Sequence, residues 1–292
     1  MAMGRWGKRP GVVGTFALLA VVLLVPSAAD PAAVRGGATM GAHGPTGSFA
    51  AAPPARSRPA VEHVVFNAAS GRHELVVPDP SSIAVLIGDS QADGAASVPG
   101  KQTWPQVALG AAGYTVTFRG RGGTGYATGN GRDPDYVTAL RQERWLLPHG
   151  DVGLVVIEGG GNDARTGASD AVIASSQAAL LAELRRSYPH APMVVVGTLA
   201  RSAGDGGGRR HQVDDLVGRT ARAQGVAFIS VGDWLTVHDL ARHLADQVHL
   251  DAMGHRLAAG FLLQAMQSAG LDRQAGHGRT RHTVSMALPP GR

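Results

Sequence analysis

Asp246 and His249 stand three residues apart near the end of the sequence, and Ser90 stands far upstream within Gly88-Asp89-Ser90. An aspartate that orients an imidazole, an imidazole that takes a proton and a hydroxyl that gives one up turn a weak nucleophile into a strong one. A spacing of three on a loop or turn lets Asp246 accept from the His249 Nδ1–H while Nε2 faces the serine. Such a set attacks a carbonyl carbon, and the oxyanion that forms then needs hydrogen-bond donors. Two glycine-rich stretches offer them. Arg119-Gly120-Arg121-Gly122-Gly123-Thr124-Gly125-Tyr126 is so poor in side chains that its backbone N–H groups can approach a ligand oxygen. In Glu158-Gly159-Gly160-Gly161-Asn162-Asp163, three glycines let the Asn162 amide bend over the end of a strand.

Each of these features has a plainer reading. Ser90 and the Asn162-Asp163 pair both suit helix N-caps, and one histidine among 12 is ordinarily a packed or solvated residue. Gly120, Gly122 and Gly125 also satisfy the dinucleotide-binding spacing, but that loop opens the first strand-to-helix crossover and has an acidic residue about 20 positions later. Here the glycines come after the second expected strand, and Trp145 occupies the place of the acid. His238, Asp239, His243 and His249 form a rival metal set, without a His-Glu-x-x-His pattern. A non-catalytic exported binding module on the same fold is a further alternative, because fold does not fix function.

The elements that must position these residues show in the hydrophobic pattern. Apolar runs at 83–87, 114–118, 152–157, 193–198 and 226–230 read as strands apolar on both faces, as in a parallel sheet covered by helices. Helical patterns at 103–112, 134–147, 169–188, 211–224 and 253–268 alternate with them. The alternation predicts a three-layer α/β/α sandwich with a doubly wound, five-stranded parallel sheet. Ligands bind such sheets beyond the carboxyl ends of the strands, which is where the serine and both glycine stretches fall. Runs at 64–66 and 75–77, separated by a segment containing Gly71, predict a hairpin leading into the core.

At 292 residues, 44% hydrophobic and 17% charged, the chain can bury a large core and departs from both membrane and disordered compositions. Its net charge of +5 invites a nucleic-acid reading, but residues 61–270 carry 17 Arg and Lys against 20 Asp and Glu. The positive charge lies outside that span, so a basic patch for nucleic acid is not expected on the folded unit. Arg5, Lys8 and Arg9, an apolar run from 11 to 25 and Pro26-Ser27-Ala28-Ala29 read as a signal peptide over 1–29, cleaved near Ala29. The alternative is an uncleaved anchor, but that run is shorter than the roughly 20 residues that span a bilayer. Residues 30–60 read as a flexible linker, 61–270 as the domain and 271–292 as a frayed tail. The leader makes the expected product an exported or cell-envelope protein, expected as a monomer, and the absence of cysteine leaves it without disulfide or thiol chemistry.

Taken together, the four blocks resemble the SGNH (GDSL-type) hydrolase superfamily over roughly residues 82–269. Gly88-Asp89-Ser90, the Gly122-Gly123-Thr124-Gly125 loop, Gly160-Gly161-Asn162-Asp163 and the Asp246 to His249 block keep the family order. The resemblance implies a flavodoxin-like sandwich and serine esterase activity through an acyl-enzyme, with no metal or organic cofactor. It implies Ser90 as nucleophile, His249 as base, Asp246 as its partner, and Ser90 N–H, a glycine N–H and Asn162 as the oxyanion hole. The expected glycine is Gly123, with Gly122 as the alternative, because the asparagine that often precedes the glycine block is missing. Gln91 stands where the family commonly has leucine, a difference expected to bear on packing rather than chemistry. The expected substrate is a small-molecule ester or an acylated glycan or lipid. Trp104, Tyr126 and Trp234 are candidates for lining its pocket, against a core role, and the glycine-rich stretch 201–210 is expected at the site's mouth.

Overall fold

The computed structural model describes residues 63–273. The expected leader, the linker and the tail beyond Arg273 lie outside the described residues. In chain order the strands are β1 (Val64–Asn67), β2 (Arg72–Leu75), β3 (Ile83–Gly88), β4 (Thr115–Gly120), β5 (Leu147–Pro148), β6 (Leu154–Glu158), β7 (Met193–Val196) and β8 (Ala227–Ile229). The α-helices are α1 (Ser90–Asp93), α2 (Trp104–Ala111), α3 (Tyr136–Arg141), α4 (Gly161–Thr166), α5 (Asp170–Ser187), α6 (Gly208–Ala223), α7 (Trp234–Val237) and α8 (Ala252–Ser268).

The main sheet has the order β4-β3-β6-β7-β8, all parallel. Counted along the chain this is 2-1-3-4-5, the flavodoxin-like order, and the chain reverses its direction of travel between β3 and β6. All six residues of β3 and all five of β6 are buried, as continuous apolar runs require once helices cover both faces. One core layer gathers Val85, Ile87, Val155 and Ile157 with Ile173, Leu180 and Leu184 of α5. The other joins Leu86, Val156 and Val196 to Trp104, Leu109 and Leu262 of α2 and α8. Each fully buried aliphatic chain contributes about 1.5–3 kcal/mol, so the central strands fix the sheet before any loop is considered.

The expected helix 134–147 ends at Arg141. Gln142 caps it, and Glu143 takes φ +54°, a turn conformation that no helix continues. The chain then extends into β5, whose Leu147 and Pro148 pair in parallel with Glu74 and Leu75 of β2. A hairpin does form, but its second strand is Arg72–Leu75 rather than the expected run 75–77: β1 and β2 pair antiparallel from Val64 against Leu75 to Asn67 against Arg72, and Val76 beyond the strand is exposed. The hairpin joins β5 in a separate three-stranded sheet that the pattern alone did not foretell. Among the described residues, no helix is long and apolar enough to cross a membrane.

Candidate active site

Every chemical residue singled out in the sequence lies just beyond the carboxyl end of a strand or precedes the last helix. Beyond β3, α1 begins at Ser90, and its cap is Asp89, whose carboxylate accepts from the Gln91 N–H at 2.9 Å. The capping role therefore belongs to Asp89, and the Ser90 hydroxyl stays available. It lies 2.9 Å from His249 Nε2.

The His249 loop is built by Asp246. One carboxylate oxygen accepts from the Val248 and His249 N–H groups, both at 2.7 Å, and the other lies 2.7 Å from His249 Nδ1. An ionised carboxylate only accepts, so it fixes the proton on Nδ1 and leaves Nε2 to accept from Ser90. The hydrogen bond from the ring, and then that from the His249 N–H, hold the Asp246 carboxyl at about 2, below the ordinary 3.8. The dyad partner is thus charged at any pH near neutrality.

Opposite Ser90, the loop after β4 presents Gly123 with φ +83°, a left-handed conformation that glycine adopts freely. The Gly122 N–H donates to Asp93 Oδ2 at 3.0 Å and is engaged, whereas Gly123 borders the cleft next to Ser90 and Asn162. Asn162 sits in the first turn of α4, after the Gly160 cap at φ +104°. Its Nδ2 donates to Asp89 Oδ2 at 3.1 Å and to the Thr124 carbonyl at 2.9 Å. Both amide hydrogens are therefore in use, and an incoming oxyanion has to share or displace one of these bonds.

The glycine loop is pinned from below. Asp163, fully buried, accepts from the N–H groups of Tyr126 and Ala127, both at 2.9 Å. Two of the three fingerprint glycines now have structural reasons. A Cβ on Gly120 would run into the Gly88 carbonyl, and one on Gly125 into the Asp163 carboxylate. Close packing of protein on protein explains both without a nucleotide.

Three further ionisable groups escaped sequence reading. Asp89 and Arg210 on α6, which border the cleft, act on one another and on Glu158 at the end of β6. Burial raises the Asp89 carboxyl, and burial together with the charge of Asp89 pushes Glu158 well above the usual carboxylate range. Burial lowers Arg210, against the pull of Asp89 and Glu158. Arg210 donates to the Leu199 and Gly161 carbonyls, while Glu158 Oε2 has no hydrogen-bond partner. A lone glutamate closing the apolar run 154–157 was the signal in the sequence.

A cleft of about 580 Å³ opens over Ser90, bordered by Gly123, Asn162, Val248, His249 and the Gly206-Gly207-Gly208 turn. The stretch 201–210 thus reaches the mouth, as expected. Trp104, Tyr126 and Trp234 do not: they are 0%, 1% and 7% exposed and belong to the core. The rival metal set does not assemble. His238 stacks on Phe261 and His243 pairs with Asp251, and no group of three potential ligands gathers among the described residues.

Known proteins frame this geometry. An active-site mutant of a family two carbohydrate esterase from Clostridium thermocellum is 16% identical, with a TM-score of 0.53 over 68% of this chain and 67% of that one. Its likeness is one of fold. A lipolytic G-D-S-L family protein from Veillonella parvula (16% identity, TM-score 0.47, 63% and 98% coverage) is more distant in shape. So is the aryl esterase of M. smegmatis (18%, 0.46, 64% and 99%). No curated protein matches the sequence significantly. The profile of the GDSL-like lipase/acylhydrolase family matches residues 86–257, more than half of the chain and a span that holds Ser90, Gly123, Asn162, Asp246 and His249, and the chain belongs to that family as an SGNH-type ester hydrolase.

Proposed function

We propose that this hydrolase cleaves carboxylic esters, acetyl or longer acyl, through an acyl-enzyme on Ser90. The observation that carries the reading is the relay from Asp246 through His249 to Ser90, with contacts of 2.7 and 2.9 Å. His249 Nε2 takes the hydroxyl proton as Ser90 Oγ bonds to the ester carbonyl carbon, and the carbonyl π electrons move onto its oxygen. The Ser90 and Gly123 N–H groups and Asn162 Nδ2 stabilise that oxyanion. Collapse expels the alkoxide, which takes the proton from His249 and leaves as an alcohol. Water, deprotonated by the same ring, then attacks the acyl carbon, and the proton returns to Ser90 as the acid departs. No step calls for a metal or an organic cofactor.

The substrate reading is a small-molecule ester or an acylated glycan or lipid, reached outside the cytoplasm. The leader pattern in residues 1–29 supports export to the cell envelope or beyond. The cleft supports an acyl group held by backbone and aliphatic surface, because glycines, Ala164 and Val248 line it, with Arg165, Arg209 and Arg210 also on its border. The test is covalent labelling of Ser90 by a fluorophosphonate, and then assays on acetylated sugars and p-nitrophenyl esters of rising chain length. Ser90→Ala serves as control. A folded protein that neither labels nor turns over any ester would instead be a binding module, and the mechanism would fall.

A further inference from the structure

Gln91, the residue after the nucleophile, is 3% exposed although its side chain is polar. A buried amide must find partners for both ends, and this one finds them in two different elements. Nε2 donates to the Val248 carbonyl at 3.0 Å, and Oε1 accepts from the Trp104 indole N–H at 3.3 Å. The indole only donates and the carbonyl only accepts, so a single amide orientation satisfies both. Trp104 is itself held, since its backbone N–H donates to His255 Nδ1 at 3.0 Å at the start of α8. One connected set of hydrogen bonds, buried except at its part-buried Val248 end, therefore runs from α8 through α2 to α1 and ends on the residue next to His249.

The loop that carries His249 is short and self-contained. Leu244 bridges to Leu250, and the Ala245 N–H donates to the His249 carbonyl. Two hydrogen bonds join this loop to α1: His249 Nε2 to Ser90 Oγ, and Gln91 Nε2 to the Val248 carbonyl. The first must break whenever Ser90 is acylated, because its hydroxyl proton is gone and its oxygen is esterified. The second contains no reacting atom, so neither half-reaction requires it to break.

We propose that Gln91 is a positioning residue that docks the Asp246–His249 loop onto the nucleophile helix throughout the catalytic cycle. It acts through Val248, from a buried place at the border of the cleft. Gln91 thus does more than the packing expected of this position, a role that rests on the serine-esterase reading above. A slip of about 1 Å in a catalytic group costs on the order of a hundredfold in rate, so loosening this tether lowers turnover even though the dyad and the oxyanion donors remain.

The experiment compares wild type with Gln91→Leu, Gln91→Met and Gln91→Glu, measuring kcat, KM, fluorophosphonate labelling rate and Tm. Gln91→Leu places the common family residue there, and Gln91→Met keeps an unbranched chain should Leu fail to fold. Both should lose about ten- to a hundredfold in kcat and labelling rate with KM within about twofold, at a temperature where they are fully folded. Gln91→Glu donates to Val248 only while protonated, so its kcat relative to wild type should fall as pH rises. Wild-type kcat in the apolar variants, with or without a lowered Tm, overturns the proposal, as does a Gln91→Glu ratio that stays at one across pH. An unlabelled, inactive wild type would instead sink the serine-nucleophile reading on which the proposal stands.

Discussion

Two buried glutamates, Glu183 on α5 and Glu158 at the end of β6, are treated in opposite ways. Glu183 receives Arg72 Nη1 at 2.7 Å and Arg141 Nε at 3.0 Å, while Arg72 also donates to the Glu183 carbonyl and to Ser187 Oγ. Burial alone would raise its carboxyl, but the bonds from Arg141 and Arg72 prevail and hold it below the usual range. Glu158 lies at the carboxyl end of its strand beside Asp89, one oxygen lacks a partner, and its carboxyl is pushed far up. The first arrangement staples the three-stranded sheet to the main fold. The second keeps an acid whose charged form is disfavoured beside Asp89 and close to the nucleophile, and perturbed acids concentrate at such places in enzymes.

Four experiments put this division between a structural staple and a reactive edge at risk. The largest effect belongs to Ser90→Ala, which should cut kcat by about 10⁴- to 10⁶-fold while Tm stays close to wild type. A large loss of stability there would mean that the carboxyl edge is as structural as the staple. On the other side, Arg72→Met leaves Glu183 short of a cation and should cost about 3–5 kcal/mol of unfolding free energy. Denaturant titration measures it, and kcat per folded molecule should not change. Asn162→Ala removes one oxyanion donor and should lower kcat about 10²- to 10³-fold, with KM moving little.

The smallest effect, and the most discriminating, is the pH dependence of the two glutamates. The Glu183 carboxyl is lowered from 4.5, so its contribution is present above that value and is lost as pH falls through the folded pKa. The Glu158 carboxyl is raised from 4.5, so its contribution is present below that value and is lost as pH rises through the folded pKa. In Tm scans from pH 4 to 8, about the range in which proteins are commonly most stable, Glu158→Gln should therefore gain on wild type with rising pH. Glu183→Gln should fall further behind it. Parallel curves for the two variants would dissolve the contrast.

Sequence reading placed five core strands and five helices because residues buried on both faces must be apolar without interruption. Runs such as 83–87, short and rich in β-branched residues, fit a strand covered on both faces. Its boundaries failed where a tertiary partner was needed. Residues 142–147 continue a helical pattern after Arg141, yet Trp145 and Leu147 are buried by leaving the helix and reaching β2. The block motifs brought Ser90, Asn162, Asp246 and His249 into view, since chemistry restricts residue type and spacing. Glu158 and Arg210 remained obscure because their partners come from strands and helices distant in sequence.

Local content was therefore written in the chain alone: apolar runs long enough to be buried strands, glycines where the backbone must turn, and an aspartate three residues before a histidine. Folding in three dimensions was needed to bring Ser90 and His249, 159 residues apart, to 2.9 Å, to set Gln91 between α2 and the His249 loop, and to leave one Glu158 oxygen unpaired. The reason is physical. Spacing along the chain fixes which neighbours a residue can reach through its own backbone, whereas contacts across the sheet depend on strand order and register, which are settled by packing the whole core at once.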